Sequence, residues 1–108
     1  MATAKRLREL ALKLEGTTEA PHFDRQAFKA RRIYVTLDAD GKTANFNFTP
    51  EEQEMKCAMY PGAFIPIGNK FGTSGWTTAV LAKLTDAELG AALEMAYAHG
   101  VAKPGGRK

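Results

Sequence analysis

Residues 43 to 52 read Thr43-Ala44-Asn45-Phe46-Asn47-Phe48-Thr49-Pro50-Glu51-Glu52, and the periodicity of the chain changes inside them. Ala44, Phe46 and Phe48 alternate with Asn45 and Asn47, the period-two pattern of a strand with one apolar face. Thr49 then offers a helix N-cap, Pro50 a first helical residue with its φ already set, and Glu52 the carboxylate that closes a capping box. A half-buried strand runs straight into a helix, which extends to about Met59, with modest apolar positions at Met55 and Met59, before Tyr60-Pro61-Gly62 ends it. Strand and helix share one core, which makes the class α+β.

The same alternation extends upstream. Ile33, Val35 and Leu37 alternate with Tyr34, Thr36 and Asp38, and Gln26 to Ala30 is a further run of β-formers. Three strands, over Gln26–Ala30, Arg32–Asp38 and Thr43–Phe48, form an antiparallel meander. Asp38-Ala39-Asp40-Gly41 supplies one turn, and Ala30-Arg31-Arg32 a tight basic tip for the other. Leu7, Leu10, Ala11 and Leu14 stand at helical spacing and predict an amphipathic helix from about Thr3 to Glu15, closed by Gly16. Glu19 to Asp24, with Pro21 and His22, reads as a connecting segment.

Downstream, an extended stretch with Phe64, Ile65 and Ile67 leads through Gly68 to Gly75 into a last strand over Trp76–Leu81. Thr85 and Glu88 form a second capping box, with Leu84 and Leu89 placed as a hydrophobic staple. The final helix shows Leu89, Ala92, Leu93, Ala96 and Tyr97 on one face and ends at Gly100. The expected order is helix, three strands, helix, one or two strands, helix. That gives an antiparallel sheet of four to five strands packed with three helices.

At 108 residues, 44% apolar and 25% charged, the chain has material for one domain with a real core, and disorder is excluded. The domain is expected over residues 1–102, with 103–108 a flexible basic tail. No apolar run approaches the ~18–20 residues a membrane helix needs, and the N-terminus lacks a signal-peptide pattern. Cys57 is the only cysteine, which rules out an internal disulfide. A cytoplasmic monomer without membrane contact is therefore the expectation.

Net charge is +3, from 15 bases and 12 acids, but Lys103, Arg107 and Lys108 account for the excess. The folded part is close to neutral, and the pI of 9.1 reports mainly on the tail. One local patch survives: Arg25, Lys29, Arg31 and Arg32 with no acid between them, and Lys70 in a later loop.

Catalytic constellations are weak. Cys57 lies mid-helix far from either histidine, where a small buried thiol is the ordinary role. His22 and Asp24 could act as an acid–base pair, but polar neighbours in a connecting segment are usually turn formers. His99 near a helix C-terminus is ordinary, and two distant histidines make no metal site. The Gly68, Gly72 and Gly75 spacing lacks the Gly-Lys-Ser/Thr of a phosphate loop. No enzyme activity, cofactor or metal is expected. The polar face of the meander gathers Lys29, Tyr34, Thr36, Asn45 and Asn47, with Trp76 on a neighbouring strand, a mix able to hold a small molecule or peptide. A solvated face is the other reading. Trp76 itself is expected to bury against the first or last helix.

The succession Pro21-His22-Phe23, Ala27-Phe28-Lys29, Thr36-Leu37-Asp38 with Asp40-Gly41, Ala44 to Gln53 and Gly75-Trp76-Thr77 resembles the small bacterial MmcQ/YjbR-like family over about Leu7 to Ala98. The resemblance implies a compact α+β domain grouped with the CyaY-like fold and DNA binding in which hairpins act as wings. Where many members carry Gly-Gly-Lys before the second strand, this chain has Ala30-Arg31-Arg32. Iron binding, raised by the fold grouping, is not expected: frataxins use an acidic first helix, and here Lys5, Arg6, Arg8 and Lys13 face Glu9 and Glu15. The leading expectation is a domain that contacts DNA weakly, in a salt-dependent way, through Arg25, Lys29, Arg31, Arg32 and Lys70. The alternative is a small-molecule or peptide module using Tyr34, Asn45, Asn47 and Trp76.

Overall fold

The computed structural model describes residues 1–102; the basic tail expected over 103–108 lies outside them. The elements are α1 (Ala4–Leu12), β1 (Thr18–His22), β2 (Arg25–Lys29), β3 (Ile33–Leu37), β4 (Thr43–Asn47), α2 (Pro50–Met59), β5 (Phe64–Pro66), α3 (Lys70–Thr73), β6 (Trp76–Val80), a 3-10 turn (Leu81–Lys83) and α4 (Asp86–Gly100). The strands form one antiparallel sheet in the order β1-β2-β3-β4-β6-β5. The meander of β2, β3 and β4 and both capping boxes, Thr49 with Glu52 and Thr85 with Glu88, lie where the sequence places them.

The core lies on one side of this sheet. Leu7 and Ala11 of α1 and Leu89, Ala92, Leu93 and Ala96 of α4 are buried against Phe28, Val35, Phe46 and Phe48. α4 packs on β3 and β4, α1 on α4, and α2 on β5 and β6.

Among the described residues the sheet has six strands, not four to five, and there are four helices, not three. Both missed details have a physical cause. β1 is an edge strand with four of its five residues exposed, so it shows no apolar alternation, and Pro21 is tolerated because an edge strand can spare a donor. α3 is a single turn within a glycine-rich stretch. α1 stops at Leu12, three residues before the expected end. In α2, Met55 and Met59 are exposed, and Lys56 takes the inward position instead. Its Nζ lies 5.5 Å from the centre of the Tyr60 ring and 5.7 Å from that of Phe64.

Two further corrections change which residues face the solvent side of the sheet. Phe28 pairs with Val35 while Lys29 pairs with Ile33, so β3 carries one extra residue, Tyr34, opposite β2. This bulge lets Tyr34 and Val35 both turn toward the helices. Tyr34 is fully buried, meets Tyr97 edge to face at 5.5 Å, and shares a 2.8 Å hydrogen bond with the Thr17 hydroxyl. Burial pushes the phenol's pKa up. Tyr34 is therefore core, and Ile33 takes the open face in its stead. Trp76 is displaced in the opposite sense. In β6 the inward positions belong to Thr77 and Ala79, both fully buried, so alternation leaves Trp76 half-exposed on the side away from the helices.

Candidate functional site

Strand register assigns the helix-free face of the sheet. It carries Thr18, Ala20 and His22 of β1, Arg25, Ala27 and Lys29 of β2, Ile33 and Thr36 of β3, Thr43, Asn45 and Asn47 of β4, Trp76, Thr78 and Val80 of β6, and Ile65 of β5. None of these residues is acidic. Glu19, which alternates to the other side, pairs with Arg8 of α1.

A groove of about 340 Å³ crosses this face. Ile33, Thr36, Asn45 and Trp76 line it from the strands, His22, Phe23 and Arg25 from the β1–β2 edge, and Ile67, Asn69 and Phe71 from the β5–α3 edge. Two large rings stand in solvent at its walls. Phe23, at the β1–β2 turn, is 93% exposed and has φ of 59°, the left-handed region that a bulky residue seldom enters. Its ring meets His22 edge to face at 4.8 Å. Phe71, in α3, is 55% exposed.

The glycine-rich segment builds the second wall by close backbone approach. A β-carbon on Gly72 would stand 1.6 Å from the Ile67 carbonyl oxygen, and one on Gly75, whose φ is +115°, would stand 2.0 Å from that of Phe48. Gln53 reaches from α2 and donates to both the Gly72 and Trp76 carbonyls at 3.0 Å. Asn69 caps α3, its side chain accepting from the Phe71 N–H at 2.9 Å. The segment is thus a fixed support that presents Phe71 beside Trp76.

The five basic residues do not form one cluster. Arg25 is engaged internally: Nη1 donates to Asp38 at 3.0 Å, Nε to the Thr36 hydroxyl at 2.9 Å and Nη2 to the Thr36 carbonyl at 3.3 Å. Lys29 is exposed at the far end of β2, opposite Ile33. Lys70 is exposed at the start of α3, its ammonium 6.0 Å from the Phe71 ring centre. Arg31 and Arg32 stand elsewhere, on the tip that docks on the end of α4. Both backbone N–H groups donate to the Gly100 carbonyl, at 2.9 and 3.0 Å, and both side chains are exposed where a helix C-terminus favours positive charge.

Of the residues expected to hold a ligand, Asn45 and Trp76 line the groove, Asn47 lies on the same face opposite Trp76, and Tyr34 does not belong there. The Asn45 side-chain amide oxygen Oδ1 accepts from the Thr78 hydroxyl at 2.7 Å. Sequence reasoning passed over Ile33, Ile67, Asn69, Phe23 and Phe71. A signal existed for Phe23: a large aromatic inside Pro21-His22-Phe23-Asp24, outside any alternating or helical pattern, has no core to enter.

His22 and Asp24 are both exposed, and no hydrogen bond joins them. His99 instead shares a 2.8 Å hydrogen bond with Glu52, tying α4 to the capping box of α2. Burial raises the pKa of the Cys57 thiol, which disfavours the reactive thiolate. Among the described residues, no group of three or more His, Cys, Asp and Glu is placed to hold a metal ion, and no helix is long and apolar enough to cross a membrane.

The family model for YjbR matches residues 12–99, and the chain belongs to that family. The crystal structure of Deinococcus radiodurans protein DR2400, with a DUF419 domain, is similar with a TM-score of 0.80. The match covers 100% of this chain and 84% of that one at 24% identity, a likeness of fold. No curated protein matches.

Proposed function

We propose that this YjbR-family chain is a non-enzymatic, cytoplasmic binding domain of bacterial type that takes DNA on the open face of its sheet. The observation that carries the reading is the sign of that face: its strands contribute Lys29 and Arg25 and no carboxylate, and Lys70 stands on the adjoining wall. The carboxylates nearest the groove lie at its β1–β2 end: Asp38, which is already paired with Arg25, and Asp24, exposed on the turn beside Phe23. Lys29 and Lys70 are the principal phosphate contacts. Arg31 and Arg32, two and three residues beyond Lys29, act as outlying ones. The grouping with CyaY-like domains is part of the same proposal, supported by an antiparallel sheet with α1 and α4 packed on one side.

With about three phosphates engaged, the slope of log K against log salt is roughly −2 to −3. Fluorescence anisotropy of labelled DNA between low and physiological salt tests this. The Lys29→Glu/Lys70→Glu pair should lose most of the binding and Arg31→Glu/Arg32→Glu a smaller share. Undiminished binding by the Lys29/Lys70 pair removes the open face from the account.

A second reading has its own observation. The groove volume, about 340 Å³, with Trp76, Phe23 and Phe71 around Asn45 and Asn69, also suits a small aromatic ligand or a peptide segment. A metabolite and peptide screen read by Trp76 emission and melting temperature tests it, and silence in both counts against it.

A further inference from the structure

We propose that the DNA taken by this site is single-stranded, its unpaired bases stacking on Phe23 and Phe71 across the groove, with Trp76 beneath them. This rests on the open face being a DNA site and adds the form of DNA and the residues that read it.

Phe23 carries the case. It stands in left-handed backbone, which is unfavourable for a bulky side chain, and 93% of it is in water, where an apolar ring gains nothing from folding. Its one aromatic neighbour among the described residues is the exposed ring of His22. Neither local conformation nor the core accounts for a phenylalanine at this point. Phe71 faces the same groove from the opposite wall, also largely exposed, on a turn held rigid by Asn69, Gln53 and the contact of Gly72 with Ile67. The backbone that carries Phe71 is braced before a ligand arrives, so a base stacking there orders little beyond the side chain itself.

The form of DNA follows from what each form exposes. A duplex presents phosphates outward and keeps its bases stacked and paired, so aromatic walls find nothing to cover. A single strand exposes base faces to the rings and base edges to Asn45, Asn47 and Asn69. Its phosphates meet a face whose strands bear bases and no acids. A cationic surface interleaved with exposed aromatics is the general pattern of sequence-tolerant single-strand binding.

The test is anisotropy with a labelled oligo-dT of about a dozen nucleotides and a duplex of the same length, at about 50 mM salt. The full chain binds the single strand about 10-fold or more tightly than the duplex. Phe23→Ala and Phe71→Ala each weaken the single strand about 10-fold, leave the duplex within about 2-fold, and keep the wild-type melting temperature. Trp76 emission changes on single-strand binding. If the duplex binds as tightly as oligo-dT, or if the Phe23→Ala/Phe71→Ala double variant binds oligo-dT as wild type does, the stacking inference is overturned while the DNA reading stands. If neither DNA binds, both fall.

Discussion

Gly100, the last residue of α4, lies against the ring of Tyr34 so closely that a β-carbon on it would stand 2.8 Å from Cδ1 and 3.0 Å from Cβ of the tyrosine. The contact joins three features. The bulge in β3 sends Tyr34 inward, α4 meets it edge to face through Tyr97, and the Gly100 carbonyl receives the two N–H groups of the basic tip. Gly100→Ala should therefore cost about 1–3 kcal/mol through overpacking. Gly90, in the same helix with open space around it, is the control: Gly90→Ala should stabilise by about 0.5–1 kcal/mol. Chemical denaturation of the two variants checks the contrast, and equal effects would mean that the Tyr34 contact is not felt.

Phe23→Asn separates stability from function at one site. Asparagine tolerates left-handed backbone better than phenylalanine, and a ring 93% exposed contributes little to the core. The variant should melt at or slightly above the wild-type temperature and bind single-stranded DNA more weakly. A fall of several degrees would assign Phe23 a structural role.

Glu19 links β1 to α1. Its carboxylate accepts from Arg8 Nη2 at 2.8 Å and from Gln26 at 2.7 Å, and the hydrogen bond from Arg8, with a smaller one from Gln26, holds its pKa below the ordinary carboxylate value. A pKa lower in the folded state means that this link stabilises fully above the ordinary carboxylate range and fades as pH falls through the depressed value. Melting temperature should drop less steeply on acidification for Glu19→Gln than for wild type. Parallel curves would show the link to be energetically silent.

Lys56 is expected to be replaceable. Burial is the largest influence on its amine and lowers the pKa, against the opposing charges of Glu88 and Glu52. The unfolded chain then holds the proton more tightly, so the lysine costs stability at neutral pH, and the cost fades as pH rises through the folded-state value. Methionine keeps the packing against Tyr60 and Phe64. Lys56→Met should melt no lower than wild type at pH 7, with its advantage shrinking in alkali. A clear loss at pH 7 would mean that the ammonium–ring contacts outweigh desolvation.

The parts of this fold legible in the sequence are those where local chemistry and burial agree. The Asn45-Phe46-Asn47-Phe48 alternation, the Thr49 and Thr85 capping boxes and the α4 face each state the same thing twice, by pattern and by cap. β1 was illegible because an edge strand buries too little to need a pattern. The bulge at Tyr34 was illegible for another reason. A bulge reverses the inside–outside order of the residues before it, and Ile33, Tyr34 and Val35 are all acceptable on either face, so composition gave no sign of the reversal. That reversal removed Tyr34 from the candidate site. The alternation of Trp76 with Thr77 was ambiguous in the same way, since tryptophan is the more usual choice for the interior. Lys29 and Lys70 were legible as charges, but the place of Lys29 on the open face and of Lys70 on the α3 turn was not, because the sheet order that relates β2 to the β6 end is a long-range fact.

The most direct measurement is the amide shift map of the ¹⁵N-labelled chain titrated with oligo-dT. The open-face account predicts shifts concentrated at Lys29, Ile33, Thr36, Asn45, Asn47, Phe71 and Trp76, with Phe23 among the largest and the amides of α1 and the middle of α4 unmoved. Shifts confined to α1 and α4, or to the Arg31–Arg32 tip alone, would contradict it.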